Sequence, residues 1–170
     1  MLKFIIPVLS GLLLLAPQAA AQTSQRDIEV IGRALSFVEG ASGSDRTVAI
    51  VYDASSEAEA QALADTMAGG LSAGRVTLNA RLVPVSDIAS VGGADAAVLL
   101  GSASGDANVF STASGAGVMT VSTDMSCVES GACVMGVQSA PSVRIVVNRA
   151  AADTASVSFA AAFAMMIEEV

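Results

Sequence analysis

The chain contains no histidine, and this absence limits the chemistry that its other residues can perform. Without an imidazole, Ser-His-Asp and Cys-His catalysis, histidine metal sites and the commonest general base near neutral pH are all excluded. Lys3 is the only lysine, so carboxylate pairs and thiolates are the remaining catalytic options. We therefore expect a binding or regulatory protein rather than an enzyme, with no catalytic residue, no cofactor and no metal.

Carboxylates and hydroxyls follow several predicted strands. In an open parallel sheet, the loops at the carboxyl ends of the strands form the ligand crevice. The side chains that could share such a crevice are Asp53, Ser55, Ser56, Ser102, Ser104, Thr123 and Asp124. Helix capping and turn formation explain the same residue types, and we prefer that structural interpretation. The glycines match neither a G-x-G-x-x-G nor a Walker pattern after a strand.

Cys127 and Cys133 are the only cysteines. In an exported protein two cysteines most often pair, so we predict a disulfide that pins a hairpin around Glu129-Ser130-Gly131. A redox-catalytic pair is disfavoured because the C-x-x-C spacing is absent. A metal site is disfavoured because two thiolates lack further ligands.

The N-terminus has the three parts of a secretory signal. Lys3 is followed by an apolar run over 4–16, and Ala19-Ala20-Ala21 fits an Ala-x-Ala cleavage site. The run is shorter than the roughly 20 residues that span a bilayer. We expect residues 1–21 to be a cleaved signal peptide and Gln22 to begin a soluble, periplasmic mature chain.

The mature part, 22–170, has a length that suits one domain. It contains seven arginines and sixteen carboxylates, a formal charge of −9. Nucleic acids and anionic membranes both require clustered positive charge, so neither is an expected partner.

Periodicity predicts alternating helices and strands. Residues 26–38 form an amphipathic helix, and the apolar run 48–52 suits a strand that is covered on both faces. Ser56 and Glu59 have capping-box spacing at the start of a second helix. Strands are also predicted at 76–84, 96–100, 118–122 and 143–147. The expected fold is a single-domain α/β sandwich of about five mostly parallel strands with helices on both faces.

The last predicted helix runs from about Arg149 to the end of the chain. Phe159, Phe163, Met166 and Val170 form one stripe on it. Because the segment 159–167 has no polar residue, we expect this helix to lie under the domain or to form a homodimer interface.

The order of these features resembles the YfiR-like periplasmic proteins. The resemblance rests on ALSFVE at 34–39, VAIVYD at 48–53, the cysteine-bearing turn, and VRIVVNRAA at 143–151 before an apolar C-terminal segment. It implies a regulator that binds the periplasmic part of an inner-membrane diguanylate cyclase, restrains cyclic-di-GMP production and often dimerises. In such a protein the Cys127–Cys133 bridge would be a staple that makes activity redox-sensitive.

Two other functions stay open. The first is a small-ligand-binding domain that is related to one lobe of periplasmic solute-binding proteins and uses the loops around Asp53, Ser102 and Asp124. The second is a hydrolase that uses a pair of carboxylates, which we rank third.

Overall fold

The fold is α/β, with one mixed, mostly parallel sheet between two layers of helices. This computed structural model describes residues 22–170, so the predicted leader at 1–21 lies outside the described residues. The strands are β1 (Asp45–Tyr52), β2 (Leu71–Ala73), β3 (Val76–Pro84), β4 (Ala96–Leu99), β5 (Met119–Ser122), β6 (Met135–Gln138), β7 (Arg144–Val147) and β8 (Glu168–Glu169).

The helices lie mainly in the connections between the strands. They are α1 (Gln25–Leu35), α2 (Glu57–Thr66), α3 (Ala107–Gly115), α4 (Met125–Glu129), α5 (Arg149–Thr154) and α6 (Ala161–Ala164), with 3₁₀ turns at Val85–Val91 and Gly101–Gly105. No helix within 22–170 is both long enough and apolar enough to cross a bilayer.

The spatial strand order is β2-β3-β1-β4-β5-β6-β7-β8. The five strands β3, β1, β4, β5 and β6 run parallel. Four of them, β1, β3, β4 and β5, were predicted, which confirms a mostly parallel sheet, whereas the fifth predicted strand, β7, is antiparallel to β6. Sequence analysis missed β2, β6 and β8, and it also missed α3 and α4. Three of these five elements have four residues or fewer, too few for a periodic pattern to show.

Alternating residues of the central strands divide the core into two layers. Val48 and Ile50 of β1 pack on the face that carries α1 and α2. Ala49 and Val51 pack on the other face, which carries α3 and α4. All four side chains are fully buried. The connection through α2 leads from β1 to β3 on one side of β1, and the connection through α3 leads from β4 to β5 on the other side. Right-handed crossovers in these two directions place the two helices on opposite faces of the sheet.

The prediction of one continuous C-terminal helix is wrong. The helix α5 ends at Thr154, Ser156 has a φ of 54°, and Phe159 forms an antiparallel bridge with Val38. Thr154, Ser156 and Val157 are weak helix formers, and hydrogen bonds to 37–39 offer this backbone another set of partners. The end of the chain returns to the sheet as β8, where Glu168 pairs with Arg144.

The residues of the predicted apolar stripe on that segment do not share one environment. Phe163 is 2% exposed and packs against Phe37 and Phe159, with ring centroids 5.3 and 5.0 Å apart. Met166 and Val170 are exposed. Phe163 therefore belongs to the core of the chain itself, and only the exposed end of the segment is free for an oligomer contact.

The two cysteines pair, but not across a hairpin. Their Cα atoms lie 5.5 Å apart, within the usual range for a disulfide. Cys127 lies in α4, and Cys133 lies two residues before β6. Gly131, which the sequence suggested as a hairpin turn, adopts a φ of 77° just beyond the C-cap of α4. A glycine in this conformation is the usual way to end a helix.

Replacing Phe163 with alanine should lower the free energy of unfolding by about 3–5 kcal/mol, because it leaves a cavity between Phe37 and Phe159. Met165→Ala is the matched control, since Met165 is 86% exposed and its loss should change stability by no more than about 0.5 kcal/mol. Urea denaturation measures both changes. Equal stability of the two variants would contradict the core position of Phe163.

Thiol titration of the unreduced protein should detect no free thiol, and Cys127→Ser with Cys133→Ser should reduce stability by about 2 kcal/mol. The reason is that the bridge closes a six-residue separation in the unfolded chain. Two free thiols without reductant would contradict the pairing.

Candidate functional site

A crevice opens where the order of the strands reverses. From β1 the chain goes first to β3 on one side and then to β4 and β5 on the other, so the loops after β1 and β4 separate. The crevice holds about 640 Å³, within the usual range for small-molecule sites. Its lining residues are Thr23, Ser55, Ser56, Glu59, Leu99, Leu100, Gly101, Ser104, Ser122, Thr123, Asp124, Met125 and Gln138.

The structure brings all seven predicted crevice residues to this edge of the sheet, in two different positions. Five line the crevice: Ser55, Ser56, Ser104, Thr123 and Asp124. Asp53 and Ser102 are not among the lining residues, and hydrogen bonds join them across the bases of the two loops.

Asp53 ties the loop after β1 to the loop after β4. Its Oδ1 accepts hydrogen bonds from the amide and hydroxyl of Ser55, at 2.9 and 2.6 Å, and from the amide and hydroxyl of Ser56, both at 3.0 Å. Its Oδ2 accepts from the Ser102 amide at 3.0 Å and from the Ser102 hydroxyl. These bonds, led by those of Ser102 and Ser55, hold the pKa of Asp53 well below its usual range.

The same contacts explain two further residues. The predicted capping box of Ser56 and Glu59 is wrong, because the Ser56 hydroxyl bonds to Asp53 and does not cap α2. Gly101 has a φ of 55°, and a Cβ there would lie 3.0 Å from Asp53 Oδ2 and from Ser56 Oγ. A side chain at this position would therefore be strained and would press on the bonds that join the loops.

The crevice floor is a chain of hydrogen bonds between β4 and β5. The Asp124 amide donates to Ser122 Oγ at 3.0 Å, the hydroxyls of Ser122 and Ser104 lie 2.9 Å apart, and Ser104 donates to the Leu99 carbonyl at 3.0 Å. Ser104 and Ser122 are 6% and 1% exposed. Both serine hydroxyls in this series of hydrogen bonds have partners. The series therefore orders the floor and holds Asp124 in place.

The N-terminal residues form one wall. The Thr23 amide donates to Glu59 Oε1 at 2.7 Å, and the Thr23 hydroxyl lies 3.1 Å from that of Thr123. A capping box between Ser24 and Asp27 begins α1 immediately afterwards. The predicted helix at 26–38 begins after Ser24, so this capping box was not predicted.

Asp27 also joins this wall to the segment after β6. Its Oδ1 accepts from the Ser139 amide at 3.0 Å, and its Oδ2 accepts from the Ser24 amide and hydroxyl. Burial raises the pKa of Asp27, but the bonds from Ser24 and Ser139 outweigh burial and the net pKa is lowered. The wall is therefore held at both Glu59 and Ser139.

Sequence analysis missed Thr23, Glu59, Ser122 and Gln138 as crevice residues. Glu59 was assigned to a capping box, and Gln138 ends a strand too short to recognise. Ser122 was placed correctly in a strand, yet nothing in its spacing shows that its hydroxyl faces Ser104. Thr23 reaches Thr123 across one hundred positions, a contact with no local signal.

The charged side chains of the lining are Glu59 and Asp124, and no arginine from 22–170 is among them. In the same range, no group of three or more Asp, Glu, Cys or His side chains lies close enough to hold a metal ion. The arrangement combines aligned hydroxyls, two carboxylates and the apolar side chains of Leu99, Leu100 and Met125. This combination suits the binding of a small polar molecule.

The fold and the crevice define an α/β domain with a crevice at a switch point in the strand order. No family model and no curated protein matches the chain. Among solved structures, it is similar to a conserved domain protein from Vibrio cholerae O1 biovar El Tor strain N16961, with TM-score 0.57, 15% identity and coverage of 84% of this chain and 58% of that one.

It is also similar to the ABC domain in complex with L-Trp from Streptococcus pneumonia. The TM-score is 0.50 at 16% identity, with 74% of this chain and 55% of that chain covered. The chain thus spans little more than half the length of each protein. At these identities the likeness shows a shared fold.

Asp53→Asn should lower the free energy of unfolding by about 1–3 kcal/mol at pH 7, because an amide nitrogen would replace one of the oxygens that accept from Ser55, Ser56 or Ser102. The pKa of Asp53 is lower in the folded chain than in the unfolded one. Its ionised form therefore stabilises the fold above about pH 4, and this contribution is lost as the pH falls further.

Urea denaturation between pH 7 and pH 2.5 should show the gap between wild type and Asp53→Asn narrowing below about pH 4. Asp65→Asn, an exposed position in α2, is the control and should change stability by no more than about 0.5 kcal/mol. A gap that is independent of pH would show that the carboxylate does not make these bonds.

Proposed function

We propose that this protein binds a small polar molecule in the crevice at the carboxyl ends of β1, β4 and β5 and does not convert it. The observation that carries the proposal is the 640 Å³ crevice at the reversal of strand order, lined by hydroxyls and carboxylates. Open α/β sheets bind ligands at this position.

The order within the crevice supports the proposal. The bonds of Asp53 join two loops, and the chain of bonds through Ser122 and Ser104 orders the floor. A site that is ordered before the ligand arrives loses less conformational entropy on binding. The Streptococcus chain was solved in complex with L-Trp, and its likeness to this fold is compatible with binding of a small molecule here.

Binding without turnover fits the residues of the site. The sequence has no histidine, and both oxygens of Asp53 are engaged by hydroxyls and amides of the neighbouring loops. Asp124 Oδ1 accepts from the amide and hydroxyl of Ser126 at the start of α4. These contacts favour roles in structure and recognition over acid-base chemistry.

A periplasmic setting is part of the proposal. It is supported by the leader-like sequence at 1–21 and by the pairing of Cys127 with Cys133, since disulfides persist in oxidising compartments. Restraint of a membrane diguanylate cyclase, and dimerisation, stay predictions that rest on the resemblance to YfiR-like proteins. No contact among the described residues favours them over ligand binding.

Thermal-shift screening of the 22–170 chain against a library of small metabolites should identify a ligand that raises Tm. At one hundred times Kd, a ligand that binds only the folded state adds about 2.7 kcal/mol of stability. Gln138→Trp should abolish the shift, because Gln138 is exposed at the end of β6 and a large ring there would fill the crevice mouth.

Asn79→Trp places the same ring at an exposed position of β3 outside the crevice lining, so it should keep the shift. Loss of the shift in both variants, or in neither, would place the ligand elsewhere. If no compound stabilises the protein, and the protein captures a membrane diguanylate cyclase in a pull-down from solubilised membranes, the regulatory function would be favoured.

A further inference from the structure

The charged residues of the crevice indicate which charge its ligand carries. This inference rests on the proposed function, since it concerns the molecule that the same crevice holds. Glu59 and Asp124 are its charged lining residues. Thr23 links the two regions, because its amide bonds to Glu59 and its hydroxyl lies 3.1 Å from that of Thr123, the neighbour of Asp124.

Both carboxylates keep capacity for a ligand. The Thr23 amide uses Oε1 of Glu59, and the Ser126 amide and hydroxyl use Oδ1 of Asp124. An ionised carboxylate offers about four lone-pair sites on its two oxygens. A donor on the ligand can therefore bind each group without displacing the contacts that hold the wall and cap α4.

Four arginines make contacts away from the crevice. Arg46 lies 3.7 Å from Asp95, Arg144 pairs with Glu168, and Arg149 pairs with Glu169. Arg81 donates to the carbonyls of Val91 and Gly92. Because none of these arginines is among the lining residues, an anionic ligand group would lie next to two carboxylates without a guanidinium to balance its charge.

The two carboxylates favour a cation over an anion beside them. A carboxylate or phosphate brought beside Glu59 and Asp124 would lose hydration and meet like charge, and both changes oppose binding. An ammonium group would form charge-assisted hydrogen bonds with the same oxygens. The hydroxyl oxygens of Ser55 and Thr123 can still accept hydrogen bonds from other polar groups on the ligand.

We infer that the ligand of the crevice is a small organic cation, whose ammonium group binds to Glu59 and Asp124. The apolar side chains of Leu99, Leu100 and Met125 contact its carbon skeleton. The crevice selects against acids that have the same skeleton.

Sets of compounds that share a skeleton and differ in charge test this inference. Each set shares a skeleton and presents an amine, an alcohol and an acid: putrescine, 1,4-butanediol and succinate; tryptamine, tryptophol and indole-3-acetate; glucosamine, glucose and glucuronate. Amide ¹H–¹⁵N shifts at millimolar compound locate the binding site and measure its affinity. The amine of at least one set should bind at the crevice about tenfold more tightly than its acid.

Two variants remove charge while they preserve the local contacts. Glu59→Gln keeps an oxygen for the Thr23 amide, and Asp124→Asn keeps a capping oxygen for α4. Each should weaken binding of the amine about tenfold, since a charge-assisted bond is lost. Glu57→Gln is the matched control in the same helix, outside the lining, and should stay within about twofold of the wild type.

The outcomes separate the inference from the proposed function. Tighter binding of an acid or alcohol in the crevice would overturn the cation preference and leave ligand binding intact. Equal losses in Glu57→Gln and Glu59→Gln would also overturn it, because they would show a response to overall negative charge. No crevice shift with any of the nine compounds, together with a failed library screen, would overturn both.

Discussion

The carboxylate of Asp53 joins the two loops whose separation forms the crevice of this sheet. The reversal of strand order sends the chain away from β1 in two directions, and without a link the loops after β1 and β4 would be free to move independently. Asp53 supplies the link by accepting from the amides and hydroxyls of Ser55 and Ser56 on one side and of Ser102 on the other. Gly101 is required beside it because a Cβ would touch both Asp53 and Ser56. The crevice is therefore built around a structural aspartate rather than a reactive one.

Hydrogen bonds between distant parts of the chain also hold the other walls of the crevice. Thr23 joins α2 to the end of β5, and Asp27 joins α1 to the segment after β6. Ser122 and Ser104 join β5 to β4 beneath Asp124. Because most polar groups in these joints bond to one another, two carboxylates dominate what the crevice offers to a ligand. In the proposed function, these carboxylates are the groups that would distinguish an amine from an acid of similar size.

The sequence predicted some elements of the fold correctly and others wrongly. The run Val48–Tyr52 was placed correctly because five consecutive apolar residues suit a strand that is buried on both faces. The cysteine turn was misjudged because Glu129-Ser130-Gly131 serves a hairpin and a helix C-terminus equally well, and here the Asp124 side chain accepts from the Ser126 amide and caps a helix. The C-terminal segment was misjudged because its alanines favour a helix, while backbone bonds between 37–39 and 158–160 favour an extended strand-like path. In the C-terminal segment a long-range contact overrides a local preference, whereas in the cysteine turn a local capping bond favours the helix.

By itself, the sequence determined the α/β class, four of the five parallel strands, the absence of histidine chemistry and the set of polar residues at the ends of the strands. These follow from residue types and from periodicity, which act locally along the chain. Only the tertiary structure decided which polar side chains line the crevice and which hold it together. Asp53 and Asp124 both follow strands, yet one bonds across a gap of 49 positions in the chain to Ser102 and the other faces the cavity. That difference depends on which strands become neighbours, and this is a property of the folded sheet and not of any local segment.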